Sequence, residues 1–195
     1  MKTVKTILLL GIGVLCGTGQ ALGQVGTLGL YTDPAGTDCR LIDASSGMVS
    51  VYVVHDATQG ASGVSFSAPM PACMNGATWI GDDRRYPVTF GSSQDGISIG
   101  YGRCETGPTH VLTVIYFAAG TSSSCCLYPV VDNPIFTSGQ IEVTNCDTKD
   151  LRIVYGTIGI VSTVNGDANC DCIVQATAGR QESSWGQVKS LYVTE

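Results

Sequence analysis

The sequence has little charge, few histidines and no long apolar run. Charged residues make up 13% of the 195 residues, and only two residues are histidine. The longest apolar stretch, residues 7–15, is shorter than the roughly 20 residues that a membrane helix needs. The spacing Gly-x-Ser-x-Gly occurs at Gly96–Gly100, inside a predicted strand and not at the strand-to-helix turn of a nucleophile elbow. No Asn-x-Ser/Thr sequon and no internal repeat is present. The sequence therefore argues against a membrane span and gives no support to an α/β-hydrolase nucleophile.

Basic residues are especially scarce. The chain has 10 Lys and Arg against 16 Asp and Glu, and two of the basic residues, Lys2 and Lys5, precede the apolar stretch. Nucleic acids and anionic membrane surfaces bind basic patches, so neither is expected as a partner. The low charge, with plentiful Gly, Ser and Thr, favours a compact secreted β domain over a disordered chain.

The first 23 residues predict a signal peptide. Lys2 and Lys5 are followed by the apolar residues 7–15 and then by the small-residue site Ala21-Leu-Gly23. This order is typical of a secretory leader, which places the mature protein in the periplasm, outside the cell or at the cell surface. Lipoprotein processing at Cys16 is the rival, but it requires a small residue where Leu15 stands.

The remaining cysteines predict disulfides. Beyond Cys16 there are eight: Cys39, Cys73, Cys104, Cys125, Cys126, Cys146, Cys170 and Cys172. An even number in an exported chain indicates up to four disulfides, whose pairing the sequence leaves open. The neighbours Cys125 and Cys126 would point to opposite faces of a strand, so we expect them to have different partners.

Short apolar or alternating runs recur every 8 to 12 residues, which is typical of a β-sandwich or barrel. The run His110–Phe117 is the most apolar and predicts a strand in the middle of a sheet, buried on both faces. Asp95-Gly96 predicts a tight hairpin between the strands 86–90 and 97–101. The other predicted strands are 27–31, 48–55, 64–67, 78–80, 127–131, 140–143, 151–155 and 158–164. We therefore expect an all-β, antiparallel and disulfide-stapled β-sandwich over residues 24–164.

Residues 165–195 are expected to form an acidic turn with two cysteines, a linker and a short C-terminal helix. Trp185, Val188 and Tyr192 would share one face of that helix, behind a serine cap. The helix is too short to be stable alone, so it docks on its own sandwich or on a partner.

The segment Val51–Pro69, a long strand, a Gly-rich turn and an alternating strand, resembles cohesin-type and related immunoglobulin-like bacterial β-sandwiches. The whole chain is also similar to small secreted bacterial proteins of unknown function, through Gly100–Cys104 and Trp185–Tyr192. The resemblance implies an immunoglobulin-like or cohesin-like architecture and supplies no catalytic residue.

An acidic turn is the main candidate metal site, and a zinc site formed by Cys146, Cys170 and Cys172 is less favoured because secreted thiols oxidise. Asp167, Asn169 and Asp171 match the first half of a dockerin-like or EF-hand calcium loop. Cys172 stands where that loop needs glycine, and Ala178 stands where it needs a bidentate acid. A disulfide-pinned acidic turn without a cofactor is therefore favoured over calcium.

Two other clusters are candidate functional residues. His55 and His110 could serve a hydrolase, although capping of strand ends is favoured for both. The charge cluster Asp82, Asp83, Arg84 and Arg85, in a loop between Trp79 and Tyr86, could form a carbohydrate-binding rim. A solvated, self-neutralising loop is the simpler interpretation.

The sequence therefore predicts a secreted, non-catalytic structural or binding module. A carbohydrate-binding or cell-surface-binding domain is the first alternative, and an extracellular hydrolase is the second. Protein or carbohydrate partners at the cell surface are expected to contact loops held by the sandwich.

Overall fold

The computed structural model describes residues 26–146, 153–158, 160–167 and 170–174. These residues form fourteen strands: β1 (Thr27–Tyr31), β2 (Arg40–Leu41), β3 (Ser46–Asp56), β4 (Ala61–Phe66), β5 (Thr78–Arg84), β6 (Val88–Ser92), β7 (Gly96–Glu105), β8 (Pro108–Ala119), β9 (Cys126–Tyr128), β10 (Glu142–Asn145), β11 (Ile153–Tyr155), β12 (Thr157–Ile158), β13 (Ile160–Val164) and β14 (Ile173–Val174). The all-β prediction is confirmed, while the predicted signal peptide and C-terminal helix lie outside the described residues.

Two five-stranded sheets form the sandwich. The first sheet has the order β12-β1-β3-β8-β5, and the second has the order β11-β10-β4-β7-β6. Neighbouring strands are antiparallel except β1 and β12, which are parallel. A third, smaller sheet of β14, β13 and β2, with β9 beside β13, lies against β1, where the Ser162 hydroxyl donates to the Leu30 carbonyl.

The core lies between the two large sheets. Alternate residues of each strand point inward, as the period of two along a strand requires. The first sheet contributes Leu28, Leu30, Val51, Val53, Leu112, Val114 and Tyr116, and the second contributes Val64, Phe66, Ile97, Ile99, Tyr101 and Val143. All of these side chains are buried.

The most apolar run is β8, and its predicted position was only partly right. It lies inside the first sheet between β3 and β5, so β3 occupies the middle position. Its inward residues are buried, whereas Phe117 on the opposite face is exposed. The prediction failed because β-branched and aromatic residues on the outer face give the same apolar signal as core residues.

The predicted hairpin at Asp95-Gly96 is confirmed. β6 and β7 pair from Val88 with Gly100 to Ser92 with Gly96, and residues 93–95 form the turn. Gly96 has a φ of 111°, a backbone conformation that side chains other than glycine rarely adopt.

Four disulfides pair all eight predicted cysteines: Cys39 with Cys172, Cys73 with Cys126, Cys104 with Cys146, and Cys125 with Cys170. Cys125 and Cys126 have different partners, as predicted, although Cys125 lies in a turn with a φ of 60° rather than in a strand. Such a set of disulfides fits an extracellular, oxidising location.

The domain boundary predicted after Val164 stays a prediction. The described residues that follow it are bound to the sandwich through the disulfides of Cys170 and Cys172 and through pairing of β14 with β13.

Candidate functional site

The middle of the second sheet's outer face carries only small side chains. Gly63 pairs with Gly100, and Ser65 pairs with Ser98, where β4 and β7 lie side by side. Their inward neighbours Val64 and Ile99 are core residues. We call Gly63, Ser65, Ser98 and Gly100 the small-residue floor. Gly63 and Ser65 are buried, whereas Ser98 and Gly100 are partly exposed.

Glycine is required in the floor for steric reasons. A Cβ added at Gly63 would lie 2.8 Å from the carbonyl oxygen of Ile99, a backbone atom of the neighbouring strand. A Cβ added at Gly100 would lie 3.2 Å from Val88 Cγ1. A larger residue at Gly63 would therefore separate β4 from β7, whose inward residues belong to the core.

A hydrogen-bonded network fixes one end of the floor. The hydroxyls of Ser65 and Ser98 are 2.9 Å apart, and Asn133 Nδ2 donates to Ser65 Oγ at 2.9 Å. Asn133 is buried, and its Oδ1 accepts a bond of 3.0 Å from the backbone NH of Ile135. Because a Cβ at Gly96 would lie 2.1 Å from Asn133 Oδ1, this glycine also makes room for the amide. Asn133 thus anchors the loop after Val131 to the outer face.

Exposed apolar side chains surround the floor. Val88 and Phe90 on the edge strand β6 pair with Gly100 and Ser98, and Phe90 is 70% exposed. Ile153 on the opposite edge strand β11 is 62% exposed. Exposed Ile135 and Phe136 lie in the loop that Asn133 anchors. These five residues, the apolar rim, are half of the ten large apolar side chains found exposed among the described residues.

Glu142 adds a charge to this face. It lies on β10 directly opposite Ser65, one strand away from the centre of the floor. A carboxylate beside serine hydroxyls can accept hydrogen bonds from amide or ammonium donors of a bound molecule. The outer face of the second sheet therefore offers the small-residue floor, the apolar rim and one acidic hydrogen-bond acceptor.

The outer face of the first sheet is different at its polar end. His110 accepts a hydrogen bond of 2.8 Å at Nδ1 from Arg85 Nη1, because a guanidinium is always a donor. Its Nε2 therefore carries the proton and donates to the Leu112 carbonyl and the Thr113 hydroxyl, each at 3.0 Å. The Tyr52 ring packs against the imidazole edge to face, with centroids 5.1 Å apart. Burial first, and then the Arg85 charge, lower the pKa of His110 below its ordinary 6.5.

The other end of this face is apolar. Met48 on β3 pairs with Phe117 on β8, and both side chains are exposed, Met48 by 60%. Met48 and Ile42 line a surface depression of about 400 Å³, and Ile42 is 73% exposed. Asp38 and Arg40, which form an ion pair of 3.2 Å, also line it. We call Ile42, Met48 and Phe117 the apolar corner.

The predicted charge cluster does not lie in a loop. Trp79 to Arg84 belong to β5, so their side chains alternate between the two faces. Trp79 packs against the core, and its Nε1 donates to Asp82 Oδ1 at 3.4 Å, while Asp82 Oδ2 accepts from the Ser93 backbone at 2.7 Å. Arg84 donates to the Gly91 carbonyl at 2.7 Å, which joins β5 to β6 at one edge of the sandwich.

The remaining members of the cluster diverge as well. Asp83 pairs with Thr113 on the first sheet's outer face, where Arg85 bonds His110. Tyr86 packs on Tyr101 with ring centroids 5.0 Å apart, and its hydroxyl donates to Glu105 at 3.4 Å. The six residues are therefore not brought together as one rim.

The two histidines are also separate. His55 is fully buried, and its Nδ1 is hydrogen-bonded to the Tyr101 hydroxyl at 2.7 Å. Burial above all raises the pKa of Tyr101 well above its ordinary value. A substrate cannot reach His55 without opening the core, and His110 is hydrogen-bonded to Arg85, Leu112 and Thr113.

Two of the three predicted calcium ligands are described. Asp167 and Asp171 are exposed, and Asn169 lies outside the described residues. Asp171 Oδ1 accepts a bond of 2.8 Å from the Cys172 backbone, and Asp167 lies beside the Cys125–Cys170 disulfide. Because Cys125 and Cys170 are bonded to each other, their sulfurs offer no thiolate to a metal such as zinc. Calcium binding by the aspartates stays a prediction.

Sequence reasoning missed the floor and the rim. The pattern Gly96-Ile-Ser-Ile-Gly-Tyr101 does alternate small and large residues, and Val88 and Phe90 alternate with Thr89 and Gly91. These two patterns indicate one face with small residues and an apolar edge strand. They become a surface only once β4, β7 and β6 are known to be neighbours.

No helix among the described residues is long and apolar enough to span a membrane. No protein-family model and no curated protein matches the sequence.

Several solved cohesin domains have a similar fold. The third ScaB cohesin of R. flavefaciens, solved with a group 1 dockerin, is 12% identical, with a TM-score of 0.48 over 73% of this chain and 96% of that one. The third ScaC cohesin of Acetivibrio cellulolyticus, solved with the ScaB dockerin, is 11% identical, with a TM-score of 0.47 over 73% and 100%. A non-cellulosomal cohesin of Archaeoglobus fulgidus is 13% identical, with a TM-score of 0.35 over 74% and 92%. The weak cohesin-like resemblance is therefore confirmed, and it concerns architecture alone.

Proposed function

We propose that the protein is a secreted, non-catalytic binding module that recognises a protein partner through the outer face of its second sheet. The observation that carries this proposal is the apolar rim around the small-residue floor, with Phe90 as its most exposed member. Exposed apolar side chains that cluster on one surface, with polar groups beside them, mark interaction sites.

The geometry of the face favours a protein over a small ligand. The floor lies on the middle strands of a five-stranded sheet, so the face spans several strands, whereas a small-molecule site is a concave pocket. The apolar residues stand on opposite edges, β6 and β11, so they would contact an extended or helical surface that crosses the sheet. Phe90 on the edge and the Glu142 carboxylate near the centre would orient that surface.

The face is prepared for binding without rearrangement. The Cys104–Cys146 disulfide joins the end of β7 to the residue after β10 and lies beside Gly60, the residue before β4, where both sulfurs would lie 3.2 Å from an added Cβ. The Asn133 network holds the loop with Ile135 and Phe136. A preformed surface loses less conformational entropy on binding.

Carbohydrate recognition through Trp79 and Tyr86 is a weaker candidate. Both rings are partly buried against the core, which leaves each with less surface on which a sugar could stack. A hydrolase based on His55 or His110 is likewise disfavoured by the burial of the first and the Arg85 contact of the second.

The test compares three immobilised proteins with the surface and secreted proteins of the native host. Wild type is matched with Phe90→Ser/Val88→Ser on the second sheet and with Met48→Ser on the first. Proteins retained by wild type and Met48→Ser but lost by the double variant are then purified, and their affinity is measured directly. We expect at least a tenfold weaker affinity for the double variant, since exposed aromatic anchors dominate such interfaces.

Two results would contradict the proposal. A partner that binds the double variant as tightly as wild type would move recognition away from this face. Retention of glycans, and of no protein, would replace the protein partner with a carbohydrate. Circular dichroism of each variant checks that the fold is intact.

A further inference from the structure

The apolar corner on the first sheet lies near the point where residues 175–195 leave the sandwich. We propose that the segment Ser184–Tyr192 of the same chain docks on Ile42, Met48 and Phe117. This proposal concerns the opposite face of the sandwich and does not depend on the function proposed above.

The corner has the properties of a covered surface. Met48 and Phe117 form a cross-strand pair on the outer face, and both are exposed in the described part of the chain. Ile42 adds a third exposed apolar side chain across the depression that it shares with Met48. Three such neighbours leave an apolar area in water that a large aromatic side chain would cover favourably.

The Cys39–Cys172 disulfide limits the distance between the corner and the point where residues 175–195 begin. Cys172 is bonded to Cys39 with a Cα–Cα distance of 6.0 Å, and Ile42 lies three residues after Cys39. Val174 ends β14, two residues after Cys172. From the reach of an extended chain, Val174 is at most about 24 Å from Ile42.

The intervening residues are long enough to cover that distance. Residues 175–184 can extend over about 33 Å, so Trp185 can reach any part of the corner. The third sheet that carries β14 lies beside β1 of the first sheet. The second sheet's rim faces the other way.

The segment has matching chemistry. Trp185, Val188 and Tyr192 are spaced three and four residues apart, so a helix would present them together. Its only charged residue is Lys189. Asp38 and Arg40 in the depression are already paired with each other, so the fit rests on the apolar side chains of the segment and of the corner.

Because the segment is covalently connected to the sandwich, even a weak contact with the corner is enough to keep it docked. A short flexible connection gives the segment an effective concentration in the millimolar range at its target. An intrinsic dissociation constant of about 1 mM would then leave a large fraction of molecules docked. In the docked state the apolar corner is unavailable to other molecules.

The experiment uses the full mature chain labelled with 5-fluorotryptophan. The protein has two tryptophans, so ¹⁹F NMR gives one signal each for Trp79 and Trp185, assigned with Trp185→Phe. We expect the Trp185 signal to be displaced from its position in the urea-unfolded chain. The variant Ile42→Glu/Met48→Glu should abolish this displacement, and the matched variant Phe90→Glu on the second sheet should preserve it.

The Trp79 signal reports that each variant is folded, because that ring packs against the core. A Trp185 signal at the unfolded position in wild type would overturn the proposal. A Trp185 signal that stays displaced in the variant Ile42→Glu/Met48→Glu would also overturn it. Loss of the displacement on dilution of wild type would show docking on a second copy instead and would also overturn it. None of these outcomes depends on the partner proposed for the outer face of the second sheet.

Discussion

The two large sheets are stabilised by different interactions, long paired strands in the first and a disulfide in the second. The first sheet contains the longest strands, β3 with 11 residues and β8 with 12, and none of the four disulfides joins two of its strands. The second sheet has shorter strands and glycines at its centre, and the Cys104–Cys146 disulfide spans three of its strands. A sheet with few outer side chains has few cross-strand contacts on that face.

The comparison shows what can stabilise the outer face of a sheet that has few outer side chains. On the first sheet, Tyr52, Thr113 and His110 interlock on the outer face. On the second sheet, a covalent bond and the buried Asn133 network take the place of such contacts. The geometry of the second face thus depends on a few specific bonds.

The largest effect should come from removing the disulfide of the second sheet. We expect Cys104→Ser/Cys146→Ser to lower the free energy of unfolding by about 2–5 kcal/mol, because the open loop gains entropy in the unfolded chain. Urea unfolding at equilibrium measures this loss. Amide hydrogen exchange should rise more in β4, β7 and β10 than in β3 and β8. An equal rise in both sheets would contradict the comparison.

A smaller effect is expected from a single methyl group in the floor. Gly63→Ala places a Cβ 2.8 Å from the Ile99 carbonyl oxygen and should cost about 1–3 kcal/mol of unfolding free energy. Gly81→Ala on the first sheet is the matched control, because its Cβ would meet nothing within 4 Å. Thermal unfolding measures the loss of stability in each of the two variants. A control variant as unstable as Gly63→Ala would show that the floor has no special steric demand.

The Asn133 network should contribute less again. Asn133→Ala removes the bonds to Ser65 and Ile135 and should cost about 1–2 kcal/mol, the range for losing partners of buried polar groups. Its more specific effect should be faster hydrogen exchange at Ile135 and Phe136. If exchange in that loop is unaltered, Asn133 does not anchor the rim.

The smallest effect concerns pH and the first sheet. Because the folded pKa of His110 lies below 6.5, the unfolded chain binds a proton more readily as the pH falls through 6.5 towards the folded value. Stability should therefore decline over that window, and His110→Gln should remove this part of the decline. The groups that face the ring are Arg85, Asp83 and Tyr52.

An NMR titration of His110 measures the same property directly. Arg85→Gln should raise its pKa towards 6.5, because one of the two causes that lower it is the Arg85 charge. An unchanged pKa in this variant would mean that burial alone is responsible. Phe90→Ser on the second sheet should have no effect on the titration.

Local features of the sequence could be interpreted correctly. The hairpin at Asp95-Gly96 follows from turn chemistry, and the separate partners of Cys125 and Cys126 follow from their adjacency. Residues 82–84 of the charge cluster were misplaced in a loop because their polar side chains conceal a strand. Asp82 and Arg84 are explained only by their bonds to Ser93, in the turn after β6, and to Gly91 on β6.

The sequence by itself determined the all-β class, most of the strands and the disulfide-bonded state, because these depend on alternation, turn residues and cysteine parity within short windows. The tertiary structure decided which strands are neighbours, and with that the floor, the rim and the apolar corner. It also decided the pairing of Cys39 with Cys172, which are 133 residues apart. Strand order and distant disulfides depend on how the whole chain buries its apolar side chains, and no short segment contains that information.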